Sequence, residues 1–268
     1  MKAVSLLYHD AVVDGDLEAS GFNDAGAELY KLDLDELKAH FNAIASARTE
    51  PPVLVTDILE GTNQDSRPWL LTFDDGGVSA ALHISDLLDE FGWKAHFLVT
   101  AGRIGTSGFV DRGQVRELAA RGHLIGSHSW SHPDIMSDMS RQELMEEWGR
   151  SAESLAEITG EATVVASIPR GNFSQTVAET AFESGIRALF TSEPQKTVHR
   201  VSGSLILGRY TLLRGDPSAV AAGLVSAKAT GSQARQYLWW NAKKAVKRAG
   251  GGAYLTLREK LLSLRNRR

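Results

Sequence analysis

The chain has 268 residues, 43% hydrophobic and 23% charged, enough for one large α/β domain or two small ones. It has no cysteine, so disulfides and thiolate chemistry are excluded and any metal must be held by nitrogen and oxygen. The net charge of −4 hides a split: residues 235–268 carry ten Lys/Arg against the single acid Glu259, while residues 1–234 carry 19 basic and 32 acidic residues. No run approaches the roughly 20 apolar residues of a membrane span. The opening stretch Met1–Asp10 has too short an apolar core for a secretory signal. The expected location is therefore cytoplasmic.

In chain order, Ala3–Tyr8 reads as a strand ending in Tyr8-His9-Asp10. Leu34, Leu37, Phe41 and Ile44 follow at helical spacing, with Asp33 and Glu36 placed like a capping box. Pro51–Pro68 reads as a loop with at most one short strand near Val53. Trp69–Phe73 is an apolar strand that stops at Asp74-Asp75-Gly76-Gly77 and leads into a helix from Val78 to Phe91. Lys94–Thr100 is strand-like, Gln114–Arg121 helical, and His123–Ser127 a strand again. Ser140 and Glu143 open a long helix to about Thr159. Val164–Ile168, Ala188–Thr191 and Leu205–Leu207 complete about seven strands, with a helix over Ser174–Glu183. Strands separated by helices imply parallel pairing, and seven of them point to an irregular (distorted) β/α barrel over residues 1–234. Residues 235–268 read as a basic amphipathic helical tail, with Leu238, Trp239, Ala242 and Val246 on one side and Lys243, Lys244, Lys247 and Arg248 on the other.

Asp74 and Asp75 stand at the carboxyl end of a buried strand, the edge at which parallel α/β folds bind ligands. Some fifty residues on comes His128-Ser129-Trp130-Ser131-His132, again after an apolar stretch. With Gly126 before and Pro133 after, these histidines favour a loop wrapped around an ion. Two imidazoles and one of the two aspartates make a catalytic divalent site, and the other aspartate is free to take a proton from water.

Thr72-Phe73-Asp74-Asp75-Gly76 and Arg121-Gly122-His123-Leu124-Ile125-Gly126-Ser127-His128-Ser129-Trp130-Ser131-His132 together resemble the polysaccharide deacetylase family, also called the NodB-homology or carbohydrate esterase family 4 domain. The resemblance covers about Trp69 to Leu213. Tyr8-His9-Asp10 is similar to the start of the subgroup that deacetylates poly-N-acetylglucosamine. The resemblance implies a distorted β/α barrel that removes N-acetyl groups from amino sugars with a divalent metal, zinc foremost and Co2+, Ni2+ or Fe2+ as alternatives. It also implies Asp74 as catalytic base and Asp75, His128 and His132 as metal ligands. His123 reads as structural.

Two family motifs depart. Where the family has Arg-Pro-Pro-x-Gly, this chain reads Ser167-Ile168-Pro169-Arg170-Gly171, with Ser167 in the Arg slot. Arg170 is the expected substitute, reaching Asp74 from the strand end or binding an anionic substrate group. The family's Leu-x-His, which supplies the acid, has no counterpart near Leu205–Tyr210, and His199 lies in a polar loop. His9 ends the first strand on the same rim and is the expected acid. Arg209 and Trp130 are assigned to substrate binding. The expected function is hydrolysis of N-acetyl groups on an amino sugar or polysaccharide precursor, and the alternative is a catalytically impaired saccharide-binding scaffold. Nothing points to nucleic acid. The basic tail suggests either peripheral contact with the inner face of the membrane, with a lipid-linked saccharide as substrate, or helices that close the barrel with their basic residues as a solvated face.

Overall fold

The structure is a computed structural model and describes residues 1–24 and 26–226, together with Gly231 and Gln236. The expected amphipathic tail therefore lies, Gln236 apart, outside the described residues. Among the described residues no helix is long and apolar enough to cross a membrane.

Among the described residues, eleven strands form. They are β1 (Val4–Tyr8), β2 (Asp10–Val12), β3 (Lys31–Asp33), β4 (Trp69–Phe73), β5 (His96–Val99), β6 (Leu124–Ser127), β7 (Val165–Ser167), β8 (Ala188–Phe190), β9 (His199–Val201), β10 (Ser204–Leu207) and β11 (Tyr210–Thr211). Nine pair in the order β11-β1-β4-β5-β6-β7-β8-β10-β9, all parallel except the β10–β9 pair, while β2 and β3 form a separate ribbon. The sheet curls into an open half-barrel, a distorted β/α barrel with seven sequence-legible strands and short β9 and β11 at its two edges. Among the described residues, seven α-helices are delimited: α1 (Leu34–Ala47), α2 (Val55–Glu60), α3 (Ser85–Glu90), α4 (Arg112–Ala120), α5 (Arg141–Thr159), α6 (Gln175–Glu183) and α7 (Ser218–Val225).

The near-continuous apolar strands are explained by burial on both faces. In β4, Trp69, Leu71 and Phe73 join the core beneath α1, α3 and α4, while Leu70 points into a second cluster with Leu98, Val165 and Phe190. Fully burying side chains of this size stabilises the fold by about 1.5–3 kcal/mol each.

Two local expectations differ. The region expected to be a loop over Pro51–Pro68 contains α2. Asp57 accepts from the Leu54 N–H at 3.0 Å, and the Val55 N–H donates to His96 Nε2 at 2.9 Å, so a six-residue helix is stabilised by a tertiary partner. At the start of α1, Asp33 caps Asp35 N, but Glu36 accepts from Gly215 N at 2.6 Å instead of closing a capping box. The box predicted for α5 forms, with Ser140 and Glu143 each accepting from the other's N–H.

Candidate active site

The carboxyl ends of β4, β5 and β6 meet at one rim. Asp75 and Gly76 both take left-handed backbone, with φ of 75° and 82°, directly after β4. A side chain at Gly76 would run within 2.8 Å of Val99, and Thr100 N donates to Asp75 O at 3.1 Å. Asp75, Ser129, His132 and Arg170 are four of the six non-glycine residues with positive φ among the described residues. Such strain persists only where surrounding contacts over-determine it, and it gathers at functional sites.

Asp75, His128 and His132 each offer one ligand atom, all within 4.8 Å of one another. Asp75 Oδ1 lies 3.4 Å from His128 Nε2 and 3.6 Å from His132 Nε2. The donor chemistry fits a borderline divalent ion such as zinc. The tautomer of His128 fits as well. Ser167 Oγ donates to Asp74 Oδ1 at 3.1 Å and so accepts from His128 Nδ1, which leaves the Nε2 lone pair free. Burial, with Arg170 adding to it and Asp75 opposing, pushes His132 down to about 4, so its imidazole is neutral at ordinary pH. Burial raises the Asp75 carboxyl, but the imidazoles of His128, His9 and His132 grouped around it carry it below the ordinary range.

Asp74 has different partners. It is 4% exposed, and the fully buried Arg209 grips it with Nη1 on Oδ1 at 2.6 Å and Nη2 on Oδ2 at 2.7 Å. Arg209 is itself fixed by Thr191 O at 3.0 Å and Thr72 Oγ1 at 3.1 Å. Burial pushes the Asp74 carboxyl up, but Arg209 and then His128 outweigh it, and the group stays ionised. Adjacent carboxylates are thus divided: one sits among imidazoles as a ligand would, the other on a guanidinium as a free base would.

Residues 61–189 match the model of the polysaccharide deacetylase family. That match takes in both the Asp74-Asp75 turn and the histidine loop and covers just under half of the chain. An uncharacterized 30.6 kDa protein of Geobacillus stearothermophilus is 35% identical over 124 residues, 46% of this chain and 45% of the relative. The peptidoglycan-N-acetylglucosamine deacetylase PgdA of Listeria monocytogenes is 33% identical over 110 residues, 41% of this chain and 22% of that protein. The matches thus span less than half the length of either curated relative. Among solved structures, IcaB from Ammonifex degensii superposes with a TM-score of 0.66 at 21% identity, over 84% of this chain and 97% of that one, a likeness of fold.

Two residues from outside the matched segment complete the rim. Arg209, assigned from the sequence to substrate binding, is buried against Asp74. It occupies the place at the base for which Arg170 was the expected substitute. Arg170 instead pairs with Asp134 at 2.9 Å and Asp24 at 3.5 Å, tying together two loops at the mouth of the site. His9, at the end of β1, packs its ring 4.5 Å from Tyr30. Its Nδ1 is buried without a hydrogen-bond partner among the described residues, and its charge lowers both Asp74 and Asp75. Trp130 lines a cleft of about 170 Å³ with Gly102, Arg103 and Ser131. His123 packs edge-on against Phe97 at the start of β6, away from the rim, and His199 is exposed on β9.

Sequence reasoning did not find Asp10. It is buried between Ser20 Oγ at 2.5 Å and Ser79 Oγ at 2.7 Å, so close to Gly21 and Gly77 that a Cβ on either would collide with it. Burial pushes this carboxyl up, the two hydroxyls hold it down in part, and Asp75 adds to the rise. Its place directly after His9 was the available signal.

Proposed function

We propose that this domain hydrolyses the N-acetyl group of an amino sugar in a polysaccharide or its precursor, using a divalent ion held by Asp75, His128 and His132. The observation that carries this reading is the division of the two adjacent carboxylates, one among imidazoles and the other on Arg209. A bound structural ion alone would need no second, separately held base. When bound, the ion would polarise the acetamide carbonyl and acidify the attacking water.

The chain's own residues supply the rest. Asp74 accepts the proton of the water as its oxygen bonds to the carbonyl carbon, and Arg209 and Ser167 fix the direction from which it does so. The C–N bond then breaks, and His9, on the neighbouring strand, protonates the leaving amine, so that acetate and a free amine result. The cleft beside Trp130 offers an aromatic wall for a sugar ring. The likeness to PgdA, whose name states peptidoglycan N-acetylglucosamine, supports an N-acetylglucosamine-containing substrate.

The test is acetate release from N-acetylglucosamine oligomers alongside metal content. Asp74→Asn should abolish turnover with metal retained, His128→Ala should lose both, and His9→Gln should slow turnover strongly with metal retained. Full metal occupancy in the native chain without acetate release from any such oligomer would favour the saccharide-binding alternative.

A further inference from the structure

The histidine loop is held from two sides. From β5 and the turn after it come backbone contacts: His128 N donates to Val99 O at 2.8 Å, Ala101 N to Ser129 O at 3.2 Å, and Gly102 N to Trp130 O at 2.9 Å. Gly102 allows this approach, since a Cβ there would lie 2.6 Å from Trp130 O. From the other side comes α5, through residues one turn apart. Ser151 Oγ meets Ser127 Oγ at 2.7 Å, and Ser127 Oγ accepts from Ser129 N at 3.0 Å. Glu147 does more: Oε2 accepts from Trp130 N at 3.0 Å and Ser131 N at 2.9 Å, and Oε1 accepts from Ser131 Oγ at 2.7 Å.

Three donors from consecutive residues thus converge on one carboxylate, which pairs with no Lys or Arg among the described residues. The contacts lie between the two histidines, where the backbone is strained at Ser129 (φ 63°) and His132 (φ 62°). A loop with two left-handed non-glycine residues relaxes unless something holds it. His132 N is fixed only through Ser129 Oγ, at 3.0 Å, within the loop itself.

We propose that Glu147 is a positioning residue that holds the loop so that His128 and His132 stand at ligating separation before metal arrives, making α5 a determinant of metal affinity. This rests on the reading of Asp75, His128 and His132 as metal ligands. Outer contacts that orient ligating side chains typically contribute about 10–100-fold in affinity. Glu147 differs from the Ser167 contact to His128 in acting on the backbone of the loop.

The experiment strips the full chain of metal and titrates Zn2+ against a chromophoric chelator, with Co2+ absorption as a second readout. Glu147→Gln should bind Zn2+ about 10–100-fold more weakly. At saturating metal it should regain the native Co2+ spectrum and turnover. Glu146→Gln removes the same charge one residue away, from a side chain that is 62% exposed, and should leave affinity within about 2-fold, as expected of a solvent-screened charge. Ser131→Ala deletes one of the three contacts, should weaken binding by a few-fold, and serves if Glu147→Gln fails to fold. Native affinity in Glu147→Gln overturns the proposal and leaves the metal reading standing. Equal weakening in Glu146→Gln overturns it too, by assigning the effect to overall charge. A native chain that binds neither Zn2+ nor Co2+ overturns the metal reading itself.

Discussion

Replacing Arg209 with Met isolates what keeps Asp74 charged. Met fills a similar volume but leaves a carboxylate that is 3% exposed with Ser167 as its one remaining side-chain hydrogen-bond donor. Breaking one side of a buried pair typically costs about 3–5 kcal/mol, because the partner charge is left uncompensated. For a domain of this size that is a fall in melting temperature of about 10 °C. In the native chain the folded carboxyl lies below its ordinary value, so its ionisation contributes stability that is present above the unfolded value near 4 and lost as pH falls through the folded one. In Arg209→Met the burial effect loses its largest opponent, the carboxyl rises, and the ionised form is penalised at neutral pH. The deficit relative to the native chain should therefore be widest at pH 7 and narrow by pH 5. Urea denaturation at both values, in chelator so that no bound cation compensates Asp74, measures it. A deficit under about 1 kcal/mol, or one equal at both pH values, would refute the claim that Arg209 holds Asp74 ionised.

Two further outcomes follow from the same physics. Burial depresses His96 from 6.5 to about 4, against the opposing bond to Leu71 O, because a neutral ring must accept from Val55 N. The unfolded chain binds the extra proton, so stability should fall as pH drops from 6.5 towards 4, by on the order of 3 kcal/mol for this group. His123, also pushed down to about 4 by burial, adds to the same window. The decisive measurement is thus the slope in His96→Gln, which should lose about one proton of uptake on unfolding; an unchanged slope would exclude His96 as the source. For the basic segment 235–268, we propose reversible binding to anionic lipid. Full-length protein should float with anionic liposomes at low salt and be released at high salt, since each Lys or Arg contributes roughly 1 kcal/mol. Flotation unchanged in a chain ending at Ser232 would place the contact elsewhere.

What was legible in the sequence was local. The apolar run Trp69–Phe73, the acids and glycines after it, and the five-residue histidine loop each carry their geometry in adjacent residues, so strand ends and candidate ligands could be read together. Ser167 could be placed in an Arg slot but not given its two bonds, to Asp74 and His128, since both cross strands. Arg209 reaches Asp74 across 135 positions of sequence, and a buried arginine after a strand looks like any rim cation until the fold closes around it. Glu147 was hidden differently, as one acid among Glu143, Glu146 and Glu153 on an amphipathic helix. In α2 the deciding hydrogen-bond acceptor is His96, which no local propensity contains.

The sheet order explains how a rim with Ser167 in the slot where the resembled family has arginine still holds Asp74 on a guanidinium. Asp74 follows β4, which pairs with β1, which pairs in turn with β11. His9 follows β1 and Arg209 directly precedes β11, so they come from the next strand and the one beyond it on the same side of β4, although they lie at opposite ends of the described chain. Ser167 reaches the same carboxylate from β7, because the sheet curls and brings distant strand ends to one rim. A curled parallel sheet does not require a given charge to come from a given strand. It requires only that a side chain of sufficient length enter the rim with its other hydrogen bonds satisfied. Arg209 meets that condition through Thr72 and Thr191, and Arg170, committed to Asp134 and Asp24, does not. Ser167 then joins the two halves of the site: it donates to Asp74 and accepts from His128, so a displacement of β7 would move the Asp74 carboxylate and the His128 ring together.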